Sequence, residues 1–344
     1  MMLSGKYFLK SLQVVILMKT TIRDIARLAG VSMATVSRVI NHTKPVNDDI
    51  RRRVLEAMRQ TGYRLEMLGE GAERSLIGFI APAFTQTVVS ELVTGIGSVL
   101  PLHGYELLIG LTDGSVESEL HYLDRFRGIG AHGILFVGSQ FGPQHQECLA
   151  DSGIACVLAG QVSDVPGVPS VHVDNLMASY EAVTWLIQHG HSDIAMIRVG
   201  GGMGVGDERY RGFLQAMETA GLAVRPEWVA ESHHSTEDGA AAMRRILEHG
   251  RPTAVFCATD WMAIGAMNEL LDRGLAVPGD VSVFGFDGSY MSTIVRPKLS
   301  TVDYSATEMG MTAARTLIRL IKGGAVDPLH ANVTHYLAIR GSAK

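Results

Sequence analysis

Cysteine is scarce in this chain: Cys148, Cys156 and Cys257 are the only three, and no C-x-x-C spacing occurs. That excludes a disulfide framework and a cysteine-built zinc cluster, and it fits a reducing cytosol. Long apolar runs are missing too. None reaches the roughly 18 residues that span a bilayer, so no membrane partner is expected. Near the N-terminus, Lys6 and Lys10 precede the short apolar run Leu12 to Met18, but no small-residue cleavage site follows. Residues 1–17 therefore read as an upstream extension, with the natural start at Met18.

Catalytic signatures are also wanting. VGGGMGVGDERY follows an apolar run, yet it contains neither G-x-G-x-x-G nor G-x-x-x-x-G-K-[ST], so its glycines read as a cleft loop. No G-x-S-x-G elbow exists. The pairs His189/His191 and His233/His234 lack metal-ligand spacing and read as surface or turn histidines. The expectation is a non-enzyme without cofactor or metal.

What is present is an uneven charge. The 344 residues carry −5, but residues 18–64 hold ten Lys and Arg against four Asp and Glu, while residues 65–344 hold 18 against 31. A basic head on an acidic body points to an anionic partner for the head alone. The length and the 47% hydrophobic content suit more than one domain. The expected division is an extension at 1–17, a head at 18–64, a linker at 65–76 and a body at 77–344.

Periodicity divides the head into three helices. Ile22, Ile25, Ala26 and Ala29 form one apolar stripe, with Thr21 placed as cap. Gly30 breaks that helix, and Ser32 can cap the next. A third helix starts after Asn47, with Asp48 and Asp49 suiting its dipole, and ends at Gly62. From Leu76 onward the pattern changes. LIGFIA, YELLIG, HGILFV, IACVLAG, SVHV, DIAMIRV, AVFCATD and VSVFGFDG alternate with helical stretches, which implies βαβ units with buried parallel strands. About 270 residues of this pattern calls for two lobes.

GVSMATVSRVIN carries the head's chemistry. On a helix, Val36, Val39 and Ile40 share one side and pack with Val31 on the first helix. Ala34, Ser37, Arg38 and Asn41 share the other side, with Met33 at its edge. This is a helix-turn-helix, whose second helix enters the DNA major groove. Arg38 suits a guanine edge, Ser37 and Asn41 suit bases or phosphates, and Met33 and Ala34 suit thymine methyls. Arg23, Arg27, Lys44 and Arg51 to Arg53 are expected near phosphates.

At this point the sequence resembles a known family. TIRDIARLAGVSMATVSRVIN and VNDDIRRRVLEAMRQTGYR look like the headpiece of the lactose/galactose/purine repressor family. The resemblance continues through VHVDNLMASYEAVTWLIQHGHSDIAMI, ERYRGFLQAME, AVFCATDWMAIGAMNELLDRGLAVPGDVSVFGFDG and PKLSTVDYSATEMGMTAARTLIRLI, and so covers residues 18–340. It implies a small all-α helix-turn-helix headpiece plus a two-lobed α/β periplasmic-binding-protein-like body with parallel sheets. It implies a cytoplasmic homodimer or tetramer on a pseudo-palindromic operator of double-stranded DNA, with a small effector, most simply a sugar or sugar derivative, in the cleft. The expected role is a repressor of sugar uptake or catabolism genes. A protein co-repressor, a purine-type corepressor, and a ligand-binding protein with weakened DNA binding stay as alternatives.

One segment departs from the family. Members usually carry a Pro-Asn-x-x-Ala-Arg-x-Leu linker that wedges a leucine into the minor groove. Here RLEMLGEGAERS lacks the Pro-Asn and carries Gly69, Gly71 and three glutamates. Glycines lower helix propensity by ~1 kcal/mol each. Leu65 and Leu68 are the candidate wedges; a flexible linker is the alternative. The candidate DNA-contacting set is thus Thr21, Ser32, Met33, Ala34, Thr35, Ser37, Arg38, Asn41, Lys44, Arg51, Leu65 and Leu68.

For the cleft, the resemblance assigns Arg209 to ligand hydroxyls or a carboxylate, and Asp287 to accepting from ligand hydroxyls. Asp260 follows a strand and reads as the cap of the next helix, with Thr259 and Trp261 beside it facing the cleft. Phe84, Gln86 and Val88 follow the first strand, and Gln161 follows CVLAG. Val88 and Val89 stand where aromatics are common in the family. Arg209 could instead pair with Asp207 or Glu208 on the surface.

Overall fold

Gly30, at φ +62°, ends helix α1 (Ile22–Ala29). The Val31 N–H bonds the Ala26 carbonyl at 3.0 Å and the Gly30 N–H bonds that of Arg27 at 3.4 Å, the paired bonds of a Schellman ending. The computed structural model describes residues 22–41, 46–60, 75–84, 87–150, 152–162, 165–200 and 204–344. The chain divides into two units, residues 1–73 and 74–344.

In the first unit, α2 (Met33–Asn41) starts at Ser32, whose hydroxyl accepts the Thr35 N–H at 3.1 Å. Helix α3 (Asp48–Gln60) starts at Asn47, whose carboxamide oxygen accepts the Asp49 N–H at 2.9 Å. Both caps are the residues expected from the sequence. Ile25, Ala26, Ala29, Val36, Val39, Val54 and Ala57 form the core, with Val31 and Ile50 packed against it. So many small side chains let three short helices cross closely, and the helices persist through this packing rather than through propensity.

The second unit has two sheets. The first runs in the order β11 (His330–Asn332), β5 (Ser170–His172), β4 (Ala155–Ala159), β3 (Gly133–Phe136), β1 (Ser75–Ala81), β2 (Tyr105–Leu111). All its pairings are parallel. Successive β1 residues go to opposite faces and both faces are buried: Ile77, Phe79 and Ala81 join one core, while Ile80 joins another with Phe126, Phe136 and Leu158. Helices α5 (Val116–Gly128) and α6 (Pro143–Leu149) cover that second face. Helices α4 (Thr87–Val99) and α12 (Ala306–Ile321) cover the first. They cross at glycines: a Cβ on Gly95 would lie 2.0 Å from the Thr307 carbonyl, and one on Gly310 would lie 2.4 Å from that of Leu92.

The second sheet runs β12 (His335–Ala338), β10 (Ser300–Tyr304), β9 (Ser282–Asp287), β8 (Ala254–Cys257), β6 (Ile194–Val199), β7 (Val229–Ser232). Helices α7 (Asn175–Gln188) and α8 (Val205–Thr219) pack together, as do α9 (Thr236–Glu248) and α10 (Asp260–Asp272). Parallel sheets were expected, and β12 corrects this: it pairs antiparallel with β10. Its sequence, HYLA, is too short and mixed to register as a strand.

The chain passes between lobes three times: from β5 to α7, from β10 to α12, and from β11 to β12. The lobes are therefore joined by three short crossovers around residues 173–174, 305 and 333–334.

Candidate functional sites

Among the residues expected to face DNA, Ser32, Met33 and Arg38 are exposed, Met33 to 49%. Thr35 is half-buried and its hydroxyl bonds that of Ser32 at 2.8 Å. Arg51 is exposed. The side chains of Ala34, Ser37 and Asn41, and all of Thr21, Lys44, Leu65 and Leu68, lie outside the described residues. Arg53, one of the arginines expected near phosphates, is exposed and also has partners within the head. Its Nη2 donates to the carbonyls of Ala29 (2.6 Å) and Gly30 (3.3 Å), so it braces the turn between α1 and α2. Arg52 pairs with Asp49 at 2.6 Å.

Between the lobes of the body lies a cavity of about 430 Å³ at the strand ends, where ligands bind in open α/β sheets. Arg209, 6% exposed, dominates it. From α8, its Nε donates to Asn175 Oδ1 (2.9 Å) and its Nη1 to the Ala258 carbonyl (2.5 Å) and Asp287 Oδ1 (3.1 Å). The guanidinium also lies over the Phe286 ring, 3.6 Å from its centre. The alternative surface pairing does not occur: Asp207 pairs with Arg211, and Glu208 accepts from Asn175 at 3.0 Å.

Asp287 ends β9 at φ +118°, a conformation costly for a residue with a Cβ and one that clusters at functional sites. Tyr304 donates its O–H to Asp287 at 3.3 Å. Burial raises the Asp287 pKa, with Arg209 opposing it. A continuous polar chain thus runs Glu208, Asn175, Arg209, Asp287, Tyr304. Asn175 stands just after the first crossover and Tyr304 just before the second.

The other expected cleft residues divide. Val88, Gln161, Thr259 and Trp261 line the cavity with Arg209 and Asp287. Val89, by contrast, is core. Gln86 lies outside the described residues. Phe84 is 46% exposed and does not line the cavity, because the chain after β1 carries it out to solvent. Asp260 is neither helix cap nor cavity wall. Thr259 is the cap, accepting the Met262 N–H at 3.3 Å. The Asp260 carboxylate turns inward to accept from Thr301 Oγ1 (2.6 Å) and the Ser289 N–H (2.7 Å). Burial first, and the Asp287 charge second, push its pKa up to about 7.

His189, His233 and His234 are exposed, as expected of surface histidines, and His191 is the exception. His191 is buried, its Nε2 bonded to the Lys344 carbonyl at 3.0 Å. His234 lines the cavity while keeping part of its surface in solvent; desolvation and then the Arg209 charge lower its pKa. Gly200 and Val205, from the glycine-rich stretch, also line it. Sequence reasoning missed Ser139, Ser289, Tyr304 and Asn175. Ser139, Ser289 and Asn175 stand one or two residues after the apolar runs HGILFV, VSVFGFDG and SVHV and carried a findable signal; Tyr304 closes β10, which no apolar run marked.

A helix-turn-helix unit and a two-lobed α/β unit whose interlobe cavity holds an Arg–Asp pair define a DNA-binding protein with a ligand-binding body. Comparison with known proteins agrees. Residues 21–65 match the model of the bacterial regulatory proteins, lacI family, and residues 183–343 match the periplasmic binding protein-like domain. Catabolite control protein A of Priestia megaterium is 33% identical across 95% of this chain and 100% of its own length. Among solved structures, the transcriptional regulator CelR–cellobiose complex is 28% identical with a TM-score of 0.73, covering 94% of this chain and 100% of that one. The lac repressor dimer bound to operator and the anti-inducer ONPF is 25% identical with a TM-score of 0.72, covering 94% and 98%. The chain belongs to the lacI family, and it is a DNA-binding transcriptional regulator. Among the described residues, no helix is long and apolar enough to cross a membrane.

Proposed function

We propose that this regulator is a cytoplasmic homodimeric repressor, without catalytic activity, that reads a pseudo-palindromic operator through α2 and is controlled by a polyhydroxylated ligand in the interlobe cavity. The carrying observation is the cavity's chemistry. Arg209 is already neutralised by Asp287, so the pair offers donors and an acceptor without a net charge seeking an ion. Trp261 contributes an indole N–H, and Ser289 a hydroxyl, that are buried without a hydrogen-bond partner in the protein. Buried polar atoms left unpaired cost about 1–3 kcal/mol each, so a ligand that pairs them recovers that cost. Many neutral hydroxyls around one ring plane, with an indole for the apolar face, describe a sugar or sugar derivative. The cellobiose held by the CelR structure supports the same class.

The control route is short. The Arg209 network ends at two of the three crossovers, so a ligand that engages Arg209 and Asp287 pulls on the segments about which the lobes turn. In the head, Arg38 reads a base edge. Arg38→Ala should cost about 1–3 kcal/mol of operator binding and relax selectivity at one base pair, while leaving non-specific binding nearly intact, as fluorescence anisotropy with operator mutants will measure.

A thermal-shift screen of sugars, sugar acids, sugar phosphates and purines tests the cleft. A ligand at 100 times its Kd adds about 2.7 kcal/mol of stability. One ligand class should shift the wild type and lose its effect in Arg209→Ala and Asp287→Ala. A wild type shifted by none of them would favour a protein co-repressor instead.

A further inference from the structure

The first lobe's wall of the cavity is governed by a carboxylate that never reaches it. Glu119, on α5, is fully buried. Its Oε1 accepts the Ser139 N–H at 2.8 Å; its Oε2 accepts the Ser139 O–H at 2.6 Å and faces His145 Nε2 at 3.1 Å. The other ring nitrogen of His145, Nδ1, accepts the Gly142 N–H at 3.2 Å, so the ring's proton sits on Nε2 and is donated to Glu119. His145 is itself fully buried against the rings of Phe136 and Phe141, with centroids 5.3 and 5.1 Å away. The backbone passes directly over the carboxylate: a Cβ on Gly138 would lie 2.3 Å from Oε1. Burial alone would raise the Glu119 pKa, but the bonds from His145 and Ser139 outweigh it and hold the group below the ordinary carboxylate range.

Gln161 clamps the same loop from the other side. Its Oε1 accepts the Phe141 N–H at 3.0 Å, and its Nε2 donates to the carbonyls of Gly138 (3.3 Å) and Ser139 (3.0 Å). Its amide is therefore engaged within the protein, and Gln161 acts as a positioning residue for the loop. Ser139 lines the cavity. A hydroxyl has one proton to donate and two lone pairs. In Ser139 that proton is committed to an acceptor-only group, and what remains for the cavity is acceptance.

We propose that Glu119 is a specificity-determining residue: by taking the Ser139 proton it makes Ser139 an obligate acceptor, so the first lobe selects a ligand with a hydroxyl or amine N–H at that point. An ether, keto or fluorine at the same position meets two acceptors face to face. This rests on the ligand reading of the cleft, and its test is built to separate the two.

The ligand-free arm uses the full-length protein and long-range ¹⁵N NMR of the histidine rings. His145 should carry its proton on Nε2, and Glu119→Gln should change that tautomer or its Nδ1 contact, because the glutamine Nε2 is itself a donor. A proton on His145 Nδ1 in the wild type overturns the proposal whether or not any sugar binds. The second arm titrates cellobiose and glucose, each with its monodeoxy and monodeoxyfluoro analogues, by calorimetry. In the wild type, fluorine at one ring position should weaken binding by ~10–100-fold, since a site built for a donor rejects an analogue without one. In Glu119→Gln, where Ser139 is freed to donate, that penalty should fall below ~3-fold while penalties at other positions persist. Ser139→Ala, which keeps Glu119, should flatten the same position. A uniform loss across all analogues in both variants would reduce the network to a structural brace and overturn the selectivity claim. If neither sugar binds the wild type, the sugar reading falls, and the proposal stands or falls on the tautomer of His145.

Discussion

The two walls of the cleft solve the same problem with opposite chemistry. The second lobe presents Arg209 and Asp287, an ion pair held in a chain of five polar side chains and resting on a strained aspartate. The first lobe, among the described residues, lines the cavity with no charged side chain at all; its polar side chains there are Ser139 and Gln161, the rest being apolar residues and glycines. Its charge, Glu119, sits one layer back. The difference teaches that recognition and shape are divided between lobes. One wall is pre-paired for donors and acceptors, and the other is a rigid backbone surface whose polarity is set from behind. A ligand bridging them therefore binds best when the lobes close, and that couples occupancy to hinge geometry.

Breaking the charged wall has the largest expected effect. Arg209→Ala leaves Asp287 buried without its cation and strips Asn175 of a partner. It should cost about 3–5 kcal/mol of stability in urea denaturation, the usual consequence of halving a buried pair, and abolish the ligand's thermal shift. Breaking the neutral wall costs less. Glu119→Ala orphans the buried His145 donor, while the two Ser139 donors border the cavity, where water can take them up, so the loss should be about 1–3 kcal/mol measured the same way. If the two losses are equal, the asymmetry drawn between the walls is wrong.

A smaller effect sharpens the comparison through pH. The folded Asp260 carboxyl titrates at about 7 against an ordinary value of 3.8. The folded state then holds its proton more tightly than the unfolded chain. Its contribution is full below about pH 4, declines as pH rises towards 7, and is flat above. The urea midpoint of Asp260→Asn should therefore fall less than that of the wild type between pH 5 and 7.5. Glu119 in the first lobe has its pKa shifted downward and contributes with the opposite sign, gaining stability as pH rises, whereas Glu91 on α4, its pKa raised by burial, shares the sign of Asp260.

The legibility of the two regions also differs. Periodicity identified all three head helices and both described caps, because Ser32 and Asn47 act on neighbours in sequence. Eight apolar runs marked strands, since a strand buried on both faces has a continuous signature. The short edge strands β7, β11 and β12 had no such run, and neither did the interior strand β10, whose STVDY mixes polar with apolar residues. In the cleft, Arg209 and Asp287 were expected from family resemblance, and their neighbourhood could be no more than guessed. Phe84 and Asp260 were misplaced because a residue after a strand end can turn to solvent, cavity or core. Tertiary packing decides which, as the Thr301 and Ser289 bonds of Asp260 illustrate. The Glu119–Ser139 contact spans 20 residues and two elements and leaves no local trace.

The most direct test of the central claim is operator affinity of the full-length protein, by fluorescence anisotropy at fixed salt, with and without a saturating cleft ligand. The account predicts a change in Kd of about 5–150-fold in the wild type, the usual range of coupling between two sites, and none in Arg209→Ala. An operator affinity that is the same with the wild-type cleft filled or empty would contradict it.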